Sequence, residues 1–112
     1  MKVFNFETYV CRVGENAQDN WNLLDQSASN YVLFHLSSFS SCYVILETSY
    51  NILTDIPPDI IKKSAELCKN KTKYKNMTDI KVDYTFCNNI KKGDTIGEII
   101  YKSNKKVKCI KI

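Results

Sequence analysis

The hydrophobic positions of this chain change their period along its length. Residues Glu7 to Val13 (ETYVCRV) gather β-branched and aromatic side chains and stop at Gly14, which predicts a strand. Asn16 is a suitable helix N-cap. After it, Ala17, Trp21, Leu24 and Ala28 recur at helical spacing and predict one face of a helix ending in Ser27-Ala28-Ser29-Asn30. Tyr31 to Leu36 (YVLFHL) and Cys42 to Glu47 (CYVILE) read as buried strands joined by a serine-rich loop over residues 37–41. The second run is apolar almost throughout, which predicts a central place in a sheet.

Thr54-Asp55-Ile56-Pro57-Pro58 announces a second helix, with Asp55 or its neighbour as cap and proline in the first turn. Its core stripe is Ile60, Ile61, Ala65 and Cys68, with Leu67 beside it. Asp59, Lys62, Glu66, Lys69 and Lys73 take the opposite, solvated face. Residues Asp79 to Phe86 alternate as a strand, with Ile80, Val82, Tyr84 and Phe86 on one side and Lys81, Asp83 and Thr85 on the other. Gly93-Asp94 marks a turn, and Gly97–Tyr101 and Val107–Ile112 are expected to form a hairpin across Ser103-Asn104-Lys105. The predicted order β-α-β-β-α-β-β-β makes residues 1–112 one α+β domain. Its sheet is mostly antiparallel, and its two main helices are expected on one side.

Composition narrows the functional classes. No apolar run approaches the roughly 18 residues of a membrane span, so no membrane insertion is expected. The N-terminus lacks the apolar stretch of a secretory signal, which makes the cytoplasm the expected location. The five cysteines are Cys11, Cys42, Cys68, Cys87 and Cys109, an odd number with no CxxC pair. Reduced thiols follow, rather than a disulfide framework. One histidine, His35, and dispersed cysteines make no zinc pattern, so no metal and no cofactor are expected. There is no Walker loop or GxGxxG, and nothing orients a Cys42/His35 pair, so no catalytic residues are assigned.

Charge is polarised. Residues 1–61 carry a net charge of −5 and residues 62–112 a net charge of +9. A basic half of this kind suits a nucleic-acid surface. Only Arg12 among the sixteen basic residues is not lysine, and Lys, Asn, Ile and Tyr supply 45 of the 112 residues. An A/T-rich coding bias would give the same lysines without any binding function. The candidates for phosphate contact are Lys81, Lys91, Lys92 and Lys102, with Lys106 and Lys108 on one strand face that Lys81 could join. A lysine-decorated, solvated sheet face is the plain alternative. His35, on a strand in an apolar run, is either a hydrogen-bonded core residue or a donor to phosphate or base. Asn16 and Asn20 lie on one helical face beside Gly14. They are either a cap and a packed amide, or part of a phosphate seat at a helix N-terminus, which Glu15 would oppose.

Three stretches, in register over nearly the whole chain, resemble the NFACT-R domain family. Val13-Gly14-Glu15-Asn16-Ala17-Gln18-Asp19-Asn20 is similar to the family's V-G-R-N-A-x-x-N signature. Phe34-His35-Leu36 with Ser40-Ser41-Cys42-Tyr43-Val44-Ile45-Leu46 resembles its W-F-H-V segment and the strand after it. Val82-Asp83-Tyr84-Thr85 and Ile90-Lys91-Lys92-Gly93 resemble V-x-Y-T and V-K-K-x, and Ile56-Pro57-Pro58 starts a helix where the family places one. The resemblance implies a non-catalytic RNA-binding fold with tRNA or rRNA as partner, in translation or ribosome-associated quality control. DNA, the ribosome or another protein stand as further partner classes. Glu15, Leu33 and Tyr43 depart from the family pattern, with Tyr31 where it has an acid. Those departures carry the alternative, a protein-interaction adapter on the same fold that has lost nucleic-acid binding.

Overall fold

The computed structural model describes residues 1–39 and 41–112. Ser40, in the serine-rich loop and in one of the motif stretches quoted above, lies outside the described residues. Eight strands and two helices follow one another as β1 (Lys2–Phe6), β2 (Tyr9–Val13), α1 (Ala17–Asp25), β3 (Val32–Leu36), β4 (Val44–Glu47), α2 (Pro58–Asn70), β5 (Lys81–Phe86), β6 (Ile90–Lys92), β7 (Ile99–Tyr101) and β8 (Lys108–Lys111). Six strands form one antiparallel sheet in the order β1-β2-β4-β3-β5-β8, and β6 and β7 form a separate pair. The α+β class and the interior place of β4 are as expected from its unbroken apolar run.

Four local expectations are corrected. The first expected strand is present but starts at Tyr9 rather than Glu7, because the chain turns at Glu7, whose φ of 55° is left-handed, and an additional strand, β1, pairs with β2 as a hairpin. Helix α1 stops at Asp25, before the Ser-Ala-Ser-Asn stretch, where the Ser27 hydroxyl donates to the Leu23 carbonyl at 2.7 Å. It buries Asn20 and Leu23, whereas Ala17 and Ala28 are exposed. The cap of α2 is Pro57, whose carbonyl accepts the Ile60 and Ile61 amides at 3.0 and 3.2 Å. Asp55 belongs instead to a preceding single turn of 3-10 helix, Leu53–Asp55.

The fourth concerns the C-terminal hairpin, which does not form. Strand β7 pairs with β6, and β8 pairs with β5. The reason is a buried polar clamp. Asn89 accepts the Ser103 amide at 2.9 Å and donates its own amide to the Ser103 carbonyl at 2.9 Å and to Thr85 Oγ1 at 3.2 Å. Thr85 Oγ1 in turn donates to the Lys106 carbonyl at 2.9 Å. The segment 102–107 is thus carried across to the far side of β5 instead of turning back on β7. The same clamp explains why Thr85 is buried on the strand side it shares with Lys81 and Asp83.

The helices lie on opposite faces of the sheet, not on one. Helix α2 places Ile60, Ile61, Ala65 and Cys68 against Cys11, Val13, Val32, Phe34, Leu36, Val44, Leu46 and Val82. On the other face, Leu23 of α1 and Ile90 of β6 pack with Leu33, Tyr43 and Ile45. Strands β3 and β4 are apolar at odd and even positions alike, so each of their faces needs cover.

Candidate nucleic-acid interface

The ladder register decides which charges share a surface. Residues opposite one another in neighbouring strands point to the same face. Lys81 stands opposite Lys111, and Asp83 stands opposite both Cys109 and His35. The Ser37 amide donates to the Lys81 carbonyl at 3.0 Å. Lys81, Lys111, Cys109, Asp83, His35 and Ser37 therefore form one strip on the α1 side, at the β8 edge of the sheet. Lys81 and Lys111 are exposed and, among the described residues, free of ion pairs. Asp83, the acid within the strip, accepts from Ser37 Oγ at 2.5 Å and Tyr101 Oη at 3.4 Å. The two lysines thus face each other as like charges, an arrangement that costs stability unless an anion joins them.

Lys108 does not join this strip. It stands opposite Tyr84, whose ring stacks on Phe34 at 5.4 Å on the α2 side. Lys106 is not on a strand but in the 3-10 turn Asn104–Lys106. The expected single face holding Lys81, Lys106 and Lys108 is therefore corrected, because the segment before β8 is a turn and the register puts Lys81 and Lys108 on opposite sides. Lys105, Lys106 and Lys108 instead line a recess of about 340 Å³ with Asn88, Asn89 and Phe86. Lys91 and Lys92 stand on β6, opposite Ile100 and Ile99. Lys92 Nζ lies 2.7 Å from Asp25 and 5.1 Å from the Trp21 ring centre, so its charge is largely met within the chain. Lys102 follows β7 and donates its amide to the Asn89 carbonyl at 2.8 Å.

Asn16, Asn20 and His35 come together along a groove of about 870 Å³. Asn16 caps α1 by accepting the Asp19 amide at 2.8 Å. Asn20 is buried and accepts the Tyr43 amide at 3.2 Å. Both side chains thus have structural partners. His35 meets the edge of the Tyr43 ring at 5.7 Å between centroids. Burial holds its pKa below the ordinary imidazole value, so near neutral pH it is uncharged. At the rim, Glu15 and Asp19 hold the Met1 amine at 3.3 and 2.8 Å. This acidic pair stands at the helix start that the sequence offers as a phosphate seat, and it is occupied by the chain's own cation. Among the described residues no cluster of His, Cys, Asp or Glu is arranged to hold a metal. Nor, among the described residues, is any helix long and apolar enough to cross a membrane.

Lys111, Ser37 and Asp83 belong to this strip but are not among the candidates that the sequence pattern singles out. Lys111 alternates with Cys109 in the sequence, but only the β5–β8 register places it across from Lys81.

Comparison with known proteins agrees with this architecture. The sequence model of the family described as NFACT protein RNA binding domain matches residues 2–106. Coiled-coil domain-containing protein 25 of Mus musculus is 28% identical over 112 residues, covering 96% of this chain and 54% of that protein. Its homolog in Dictyostelium discoideum is 27% identical over 107 residues, covering 92% of this chain and 52% of the relative. The chain thus spans about half the length of these curated relatives. The C-terminal structure of the fibronectin/fibrinogen-binding protein from Streptococcus suis superposes with a TM-score of 0.80 at 18% identity. That match covers 94% of this chain and 41% of the other, and it shows a shared fold.

Proposed function

The chain belongs to the NFACT protein RNA binding domain family, and we propose that it binds RNA through phosphate contacts, without catalysis. We assign tRNA or rRNA as the partner class and translation or ribosome-associated quality control as the setting, in the cytoplasm. The observation that carries this reading is the exposed Lys81–Lys111 pair, two like charges held across one ladder. A polyanion running along the β8 edge would bridge them. Lys102, Lys105, Lys106 and Lys108 line the same C-terminal quarter of the chain and extend the positive field.

Fluorescence anisotropy with labelled tRNA, single-stranded RNA and duplex DNA, each over a salt series, tests this directly. The expected result is RNA affinity that falls steeply with salt, because each neutralised phosphate releases counterions. Absence of binding at low salt would overturn the reading. It would leave the adapter alternative, which the glutamate at position 15 favours by setting an acid where the family signature carries a basic residue.

A further inference from the structure

We propose that the groove between the start of α1, residues 37–39 and 41–42, and the 96–99 segment receives one unstacked nucleobase of the bound RNA. This rests on the RNA reading above and adds to it a site for a base. Among the described residues seven large apolar side chains are exposed, and two of them, Phe39 and Ile96, line this groove. Phe39 already lies 4.3 Å from the Tyr74 ring, which fixes its orientation, yet it remains 36% exposed. Ile96 comes from the segment before β7 and is 53% exposed.

The polar lining matches a base better than a phosphate. His35 is uncharged near neutral pH, and the Asn16 oxygen caps the helix while its amide N–H groups have no partner among the described residues. Ser38 adds an exposed hydroxyl. Glu15 and Glu98 also line the groove and disfavour an anion there, although Glu15 already holds the Met1 amine and Glu98 Oε1 accepts the Asp94 amide at 2.9 Å. Lys71 is the one lysine in the lining, and its ammonium sits 4.6 Å from the Phe4 ring. The groove also joins the phosphate strip directly. Ser37 lines it, and the Ser37 amide is bonded to the carbonyl of Lys81. A strand held by Lys81 and Lys111 can therefore turn a base inward at Ser37. RNA recognition of this kind uses loops and bulges, whose bases are free to leave the stack and meet an aromatic ring.

The test compares two RNAs of equal length, a hairpin with an unpaired loop and a blunt duplex, by anisotropy at fixed salt. Phe39→Ala is expected to weaken the hairpin about tenfold and the duplex less than about twofold, as expected for loss of one base–aromatic contact. Ile96→Ser, on the opposite wall and exposed, is expected to act in the same direction without touching the core. A 2-aminopurine placed in the loop should change its fluorescence on binding the native chain and not on binding Phe39→Ala. Equal losses for both RNAs, or no loss for either, would overturn the base site. The double variant Lys81→Gln/Lys111→Gln separates this from the parent reading. If it weakens both RNAs while the groove variants leave the ratio unchanged, phosphate binding stands and the base site falls. If the double variant weakens neither RNA, the parent reading falls and the base site with it.

Discussion

The amide oxygen of Asn20 accepts the backbone N–H of Tyr43 at 3.2 Å, and the same oxygen occupies the space beside Gly14. A Cβ built on Gly14 would stand 1.9 Å from it. The glycine and the asparagine are thus two parts of one joint, which seats α1 against the start of β4. Gly14→Ala should destabilise the fold by about 1–3 kcal/mol through overpacking. Asn20→Ala should cost a similar ~1–3 kcal/mol by stranding the Tyr43 amide. Urea denaturation followed by circular dichroism measures both. If Gly14→Ala is neutral while Asn20→Ala is costly, the close approach is not a constraint.

This joint also shows how far the sequence could be read. Gly14, Asn16 and Asn20 stood out from it, and packing of Asn20 against the adjoining strand was one of the two readings considered. What it did not contain was the pairing partner of each strand. The segment Val107–Ile112 reads equally well as the return arm of a hairpin or as an edge strand on β5. The choice is made by Asn89 and Thr85, whose bonds to Ser103 and Lys106 connect residues 14 and 21 positions apart. Strand β1 escaped notice because only Phe4 and Phe6 mark its inward face. Local periodicity found β3, β4, β5 and α2, where apolar spacing is dense. The lysine surface was legible as composition, but its division between two faces depends on register, and a register is not a local property.

The lysines should therefore differ in their effect on RNA. Lys81→Gln/Lys111→Gln is expected to lower the slope of log affinity against log salt by about 1.4, near 0.7 per lost phosphate contact on a single strand. Lys92→Gln should change it less, because Lys92 is already paired with Asp25 at 2.7 Å. An equal loss from Lys92→Gln would show that the Asp25 pair opens on binding.

Stability should fall on mild acidification because of His35. Burial lowers its pKa in the folded chain from the unperturbed 6.5, so the unfolded chain takes up the proton first. Its contribution is complete above 6.5 and is lost as the pH falls from there towards the depressed folded value. Asp19 is also depressed, by its bond to the Met1 amine, but its loss begins only below its ordinary 3.8. A urea midpoint measured from pH 7.5 to 5 should decline, with the decline removed in His35→Gln. A flat profile in the native chain would contradict the burial of the imidazole.

The cysteines should divide by reactivity. Cys109 is exposed beside Asp83, whereas Cys11 and Cys87 are buried, with pKa values pushed up to about 11 and about 12 by desolvation. A thiol-reactive dye should modify Cys109 in the native protein, and Cys11 and Cys87 only after unfolding. Because Cys109 lies next to Lys111 on the same face of β8, opposite Asp83 on the proposed phosphate strip, saturating RNA should slow its modification. Labelling that proceeds at an unchanged rate with RNA bound would place the ligand elsewhere.

The sheet separates two cores of unequal size. The larger one joins α2 to strands β2, β3, β4 and β5, and the smaller one holds α1 and the β6–β7 pair by Leu23, Tyr43, Ile45, Ile90 and their neighbours. Opening the smaller side exposes less apolar surface than opening the larger, so its amides exchange with solvent at a lower free-energy cost. The groove walls at residues 16–20 and 96–99 belong to that side. The expected consequence is an order of opening, in which amides at residues 16–20 and 96–99 exchange before those of the six-stranded sheet that keeps the lysine ladder in register.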